Sequence, residues 1–176
     1  MVVWLIGLAG AGKTTLAKAL FGLMKPANPA TVLIDGDRVR EIMGGEVGHT
    51  LEARRNNGWR MCRLCKYLDE QEIDVVCATL SQFHDQQDWN RQNFSRYFEI
   101  FLDVPMEVLI KRDQKGLYSG ALAGKIKDVV GLDMPFPPPR APDLVIENSA
   151  PIEDFTPLAL RALAGIRARH SDWGKP

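Results

Sequence analysis

The chain alternates between short apolar runs and longer segments in which apolar residues recur every three to four positions. Val2–Ile6 is an unbroken, largely β-branched run stopped by Gly7, as expected of a strand buried on both faces. Residues 13–23 place Leu16, Ala17, Leu20 and Leu23 on one helical face, and Pro26 and Pro29 end that helix. The change of period then repeats. Residues 31–34, 73–78, 98–103 and 143–147 predict four further strands. Residues 51–71, 88–97 and 151–170 predict helices, and Pro105 suits the first turn of another. Residues 135–142, "PFPPPRAP", are too proline-rich for a helix or an inner strand and predict a connecting loop.

Strands alternating with helices predict an α/β fold, a parallel sheet with helices on both faces. Ligands of such sheets bind beyond the carboxyl ends of the strands. The chain shows no internal repeat and no linker, so residues 1–176 read as one domain. With 45% hydrophobic and 25% charged residues and a formal net charge of zero, nothing in the bulk composition favours nucleic acid. The N-terminal apolar run is too short for a signal or a membrane span, so the expectation is a cytoplasmic protein with no membrane contact. Cys62, Cys65 and Cys77 make an odd count. "CRLC" has metal-motif spacing but no second close Cys or His pair, which predicts reduced thiols near the core.

The strongest chemistry follows the first strand. Gly7 to Thr14, "GLAGAGKT", fits G-x-x-x-x-G-K-[ST] with a strand before it and a helix after it. Glycines let backbone N–H groups converge on phosphate oxygens, and the helix N-terminus adds its positive dipole end. Lys13 supplies a cation for the terminal phosphates, and the Thr14 hydroxyl can take one position of an octahedral Mg²⁺. The predicted ATP-binding set is Gly7, Gly10, Ala11, Gly12, Lys13, Thr14 and Thr15, joined by Arg112. "DVVG" at residues 128–131 imitates a GTPase motif, but no N-K-x-D base-reading motif accompanies it, so ATP is favoured as the donor.

The acceptor side is expected after the second strand. Asp35 and Asp37 sit two residues apart, with Arg38 and Arg40 close by. Asp35 could hold metal-bound water, while Asp37 accepts a hydrogen bond from an attacking hydroxyl. The alternative is that both carboxylates only cap the helix that starts there. In the long third helical segment the apolar stripe Met61, Leu64, Cys65 and Leu68 continues backwards into Gly58, Asn57 and Arg54. A core stripe that turns polar in its first turns should face a ligand, which makes Arg54 and Asn57 candidate substrate contacts; a solvated helix start is the plainer alternative. "RDQKGLY", from Arg112 to Tyr118, fits either a lid over the phosphates or an exposed helix end.

The ordered motifs "GLAGAGKTT", "LIDGDRVR", the arginine-rich helix, "RDQKGLY", "VVGLDMPF" and "PDLVIEN" resemble the adenylylsulfate kinases over about residues 1–150. The resemblance implies a three-layer P-loop NTPase fold with a five-stranded parallel sheet, a lid at about residues 112–134, and often a homodimer. It implies ATP, Mg²⁺ and a small-molecule nucleotide acceptor phosphorylated on its ribose 3′-hydroxyl. Lys13, Asp35 and Asp37 become the catalytic set, with Thr14 and Asp35 at the metal. Asp37, Arg40, Arg54, Asn57, Ser81, Lys115 and Phe136 become the substrate set, with Phe136 stacking on a base and Lys115 in the lid. Ser81 matches a serine suggested as a phosphate carrier in some members, although direct transfer is simpler.

The departures gather on the acceptor side. A G-F-S-type turn becomes Gly48-His49-Thr50, D-R-x-E-N-x-R-R becomes residues 53–60, "ARRNNGWR", and S-P-[FY]-R becomes Ser81-Gln82-Phe83-His84. Adenylyl sulfate, giving 3′-phosphoadenylyl sulfate, is the leading acceptor. The alternative is cytidine diphosphoramidate, the acceptor of similar kinases of capsule biosynthesis, of which "CRLCKYLDEQ" and "WNRQNFSRYFE" are reminiscent. A regulatory ATP-binding module without turnover and a kinase of a small sugar or acid are the readings from other classes.

Overall fold

Strand β1 (Val2–Ile6) is buried at every position and lies at the centre of the sheet. Its alternate residues feed two separate cores. Val3 and Leu5 pack towards helices α1 (Lys13–Met24) and α7 (Thr156–Arg169), while Val2, Trp4 and Ile6 pack towards α3 (Leu51–Asp69). A strand with two apolar faces has to be covered on both sides, and that requirement produces the layered architecture. The sheet is completed by β2 (Thr31–Asp35), β3 (Asp74–Thr79), β4 (Tyr97–Asp103) and β5 (Leu144–Glu147). The five strands are all parallel, in the order β2-β3-β1-β4-β5. Ile6 pairs with Thr79 on one side and Phe101 on the other, so the three central strands present their carboxyl ends along one edge. This computed structural model describes residues 1–43, 48–113, 116–149 and 153–174. Among them, no helix is long and apolar enough to cross a membrane.

The remaining helices are α2 (Gly36–Ile42), α4 (His84–Asn93), α5 (Met106–Arg112) and α6 (Leu117–Leu122). The expected helix over residues 88–97 is displaced: α4 begins four residues earlier, and Tyr97 already belongs to β4. The buried face of α4 is Gln86, Gln87 and Asn90, so hydrophobic periodicity could not find it. Its end is fixed by Asp69, which accepts from Ser95 N at 2.7 Å and Ser95 Oγ at 2.6 Å. The last helix starts at Thr156, with a proline in its first turn, and Asp154 accepts from Thr156 N at 2.8 Å. The expected start at Pro151 lies outside the described residues. All three cysteines are buried free thiols, and burial pushes Cys62 up to about 12 and raises Cys77.

Candidate active site

The turn between β1 and α1 is built on left-handed glycines. Gly10 has φ 77° and Gly12 has φ 95°, values an L side chain rarely adopts. Gly12 is the N-cap of α1, so the first N–H groups of the helix open directly onto the turn. Lys13 lies at the first position of that helix, and its Nζ donates to Leu8 O at 2.8 Å.

Asp35 sits at the end of β2 and caps α2. Its Oδ1 accepts from Asp37 N at 2.9 Å, and its Oδ2 accepts from Thr14 Oγ1 at 2.6 Å. Asp35 is thus a helix cap, as the capping alternative expects, and the same carboxylate also reaches the residue after Lys13. The Thr14 hydroxyl and the Asp35 carboxylate together form a hard, all-oxygen donor pair beside the glycine turn. Such a pair suits Mg²⁺, which keeps several waters and takes its other ligands from phosphates. It does not suit a thiophilic metal, and no group of three or more His, Cys, Asp or Glu side chains fit to hold a metal occurs among the described residues. Asp37, in the first turn of α2, is exposed at the same edge.

The first turns of α3 bring the next set together. Thr50 caps the helix, its hydroxyl accepting from Ala53 N at 3.2 Å. Arg54 donates from Nε to His49 O at 2.8 Å and from Nη2 to Asp128 O at 2.7 Å, joining α3 to the segment that follows α6. Arg40, on α2, donates to Gly48 O at 3.0 Å. Two guanidinium groups thus converge on residues 48–49. Burial first, then the charges of Arg40 and Arg54, hold the His49 imidazole below its ordinary pKa. Asn57 is buried, yet its Oδ1 finds no hydrogen-bond partner among the described residues. Native interiors rarely leave such an oxygen unmatched, so a ligand atom or an ordered water is the natural complement. The sequence stripe is as expected in its apolar part: Met61 and Cys65 are buried, Leu64 and Leu68 pack half-buried against the same core, Asn57 continues the buried face, and Cys62 joins it.

The other expected residues lie apart from these two groups. Phe136 packs its ring 6.3 Å from that of Phe101, at 39°, and touches both cores. Ser81 adopts φ 50° just beyond β3; its Oγ accepts from Trp4 Nε1 at 3.0 Å, and its carbonyl accepts from Gln87 Nε2 at 2.6 Å. Arg112 donates to Asn148 O at 2.7 Å. Lys115 lies outside the described residues. The departures behave in different ways. His84 donates from Nε2 to Pro138 O at 2.9 Å, tying α4 to the proline-rich loop. Trp59 meets Trp89 edge-on at 5.8 Å and belongs to the packing of α3 on α4.

Two residues that touch the glycine turn were not foreseen from the sequence. Tyr118 donates to Ala9 O at 2.8 Å, and Asn148 Nδ2 donates to Ala11 O at 2.9 Å. A polar residue closing "PDLVIEN" at the carboxyl edge was a signal available for Asn148; for Tyr118 there was none beyond its place in "RDQKGLY".

A family profile described as adenylylsulphate kinase matches residues 1–147. The chain is 39% identical over 165 residues to the cytidine diphosphoramidate kinase of Campylobacter jejuni, covering 93% of this chain and 96% of that one. It is 38% identical over 148 residues to the adenylyl-sulfate kinase of Paraburkholderia xenovorans, covering 84% and 83%. Among solved structures, the Mycobacterium tuberculosis APS kinase CysC in complex with AMPPNP and APS superposes with a TM-score of 0.83 at 27% identity, covering 94% of this chain and 96% of that one.

Proposed function

The chain belongs to the adenylylsulphate kinase family, an ATP-dependent phosphotransferase family, and from that premise we propose that it phosphorylates the ribose 3′-hydroxyl of cytidine diphosphoramidate. The sequence alone ranked adenylyl sulfate first. One observation favours the change: the donor half of the site is intact while the acceptor half has lost a cation. His84 stands where the resemblance implies an arginine, and its Nε2 is engaged with Pro138 O. The relative that matches nearly end to end carries the same proposed activity in its name.

In this reading Lys13 and the N–H groups of the glycine turn hold the β- and γ-phosphates of ATP. Thr14 and Asp35 would hold Mg²⁺, which would neutralise charge on the phosphates when bound. Asp37 accepts a hydrogen bond from the 3′-hydroxyl and aligns it with the γ-phosphate; the sugar hydroxyl is a weak nucleophile, so alignment matters more than full deprotonation. Arg40, Arg54 and Asn57 orient the acceptor, and Phe136 offers a face to its base. Ser81, buried and bonded to Trp4, is a support for the site, and transfer is direct.

The test is ADP release from Mg-ATP with cytidine diphosphoramidate, followed by phosphorus NMR of the product. A new phosphate monoester coupled to H3′ is expected. ATP binding without ADP release on either acceptor would support the regulatory module instead.

A further inference from the structure

We propose that Asn148 and Tyr118 are positioning residues that hold the phosphate-binding turn in its anion-binding shape by drawing two of its carbonyls outward. The inference rests on ATP as the donor and not on the identity of the acceptor. A turn that binds anions through its N–H groups must direct its carbonyls elsewhere, because an inward carbonyl repels phosphate. Here Ala9 O is taken by the Tyr118 hydroxyl and Ala11 O by the Asn148 amide, while Leu8 O accepts from Ala11 N within the turn at 3.2 Å. Both of the distant donors are buried, Asn148 at 3% and Tyr118 at 2% exposure, so water does not readily replace them. The orientation of the Asn148 amide is forced, since only its nitrogen can donate to a carbonyl.

The two donors share a root. Asn148 donates its own N–H to Asp103 O at 3.2 Å, and its carbonyl accepts from Arg112 Nη2 at 2.7 Å. Tyr118 is held through its N–H, which donates to Asp113 Oδ1 at 2.8 Å. Arg112 and Asp113 are neighbours at the end of α5, so one helix end anchors both arms of the brace. Gly12 supplies a second observation. A Cβ there would stand 2.8 Å from Asn148 Nδ2 and 3.0 Å from Phe155 Cζ. Asn148 therefore fills the space directly beneath the last glycine of the turn, and that glycine is needed for clearance as well as for its φ of 95°. Burial pushes the Tyr118 phenol up to about 12, which keeps it a donor throughout the neutral range.

Two variants of the full chain test the brace: Tyr118→Phe, which removes one oxygen, and Asn148→Ala. Each should raise the ATP Kd, read by calorimetry without acceptor, about tenfold, the size of one buried hydrogen bond. The KM for ATP should rise in parallel, while the acceptor KM stays within about twofold, as expected for lost ground-state binding of one substrate. Asn148→Asp, which keeps the shape and replaces the donor by an acceptor, should bind ATP no better than Asn148→Ala. A lower unfolding midpoint with an unchanged ATP Kd in Tyr118→Phe and Asn148→Ala would overturn the proposal, since packing alone predicts that pattern. If the Asn148 variants do not fold, the ATP Kd of Tyr118→Phe is sufficient: a rise supports the brace and an unchanged value overturns it. A parent chain that fails to bind ATP would overturn the donor reading itself, a result distinct from variants that bind as well as the parent.

Discussion

At the scale of single residues, the proposed reaction assigns the donor phosphates to Lys13 and the acceptor hydroxyl to Asp37. Lys13→Ala removes the side-chain cation at the head of α1 and should abolish detectable phosphoryl transfer. Asp37→Asn keeps the size and removes the negative acceptor. It should lower kcat about 100-fold or more, in the range of general acid–base contributions, and leave the ATP Kd within about twofold. Full activity in Asp37→Asn would refute the role given to that residue. A different residue carries a pH dependence of stability. Burial raises the pKa of Glu99, although the Tyr97 hydroxyl at 2.7 Å and the nearby Arg91 oppose the rise. A carboxyl raised in the fold favours the folded state below its ordinary pKa of about 4.3, and that contribution is lost as pH rises through the folded value. Glu99→Gln removes the ionisation and can still accept from Tyr97. Thermal unfolding should therefore show the variant gaining on the parent between about pH 4 and pH 7. A constant difference across that range would contradict it.

At the scale of elements, Arg54 links α3 to the stretch after α6 through Asp128 O. Arg54→Ala should raise the acceptor KM about tenfold and leave the ATP KM within about twofold, with amide exchange at residues 116–134 becoming faster. Equal effects on both substrates would show that the residue only supports the fold. The legibility of each element follows its physics. β1 and α1 were readable because an unbroken apolar run and a 3.6-residue stripe are local properties. α4 was misplaced because amides line its buried face, and amide burial depends on partners far along the chain, such as Gln86 Nε2 bonding to Arg55 O at 2.8 Å. The Thr14–Asp35 contact joins residues 21 apart, and the sequence hinted at it only through the resemblance, which implies that both serve one metal. The bonds of Tyr118 and Asn148 to the turn span 109 and 137 residues, and no local pattern encodes them.

At the scale of the whole molecule, the sheet order brings the β1, β2 and β3 ends into one row, and the site is divided along it. In the proposed function the turn after β1 is the donor half, with the residues the motif requires. In the proposed function the acceptor half is drawn from the β2–α2 junction, the start of α3 and the residues after β3, where His49, Ala53 and His84 depart from the family pattern. Both terminal groups carry one negative charge, but the sulfate presents only acceptor oxygens while the phosphoramidate replaces one of them by an NH2 donor, so losing an all-donor guanidinium should weaken recognition of the sulfate more. The direct test is kcat/KM for cytidine diphosphoramidate and for adenylyl sulfate, measured side by side at saturating Mg-ATP. The expected ratio is at least about tenfold in favour of cytidine diphosphoramidate, the discrimination that one or two altered contacts supply. A ratio favouring adenylyl sulfate by the same margin would contradict the proposed acceptor.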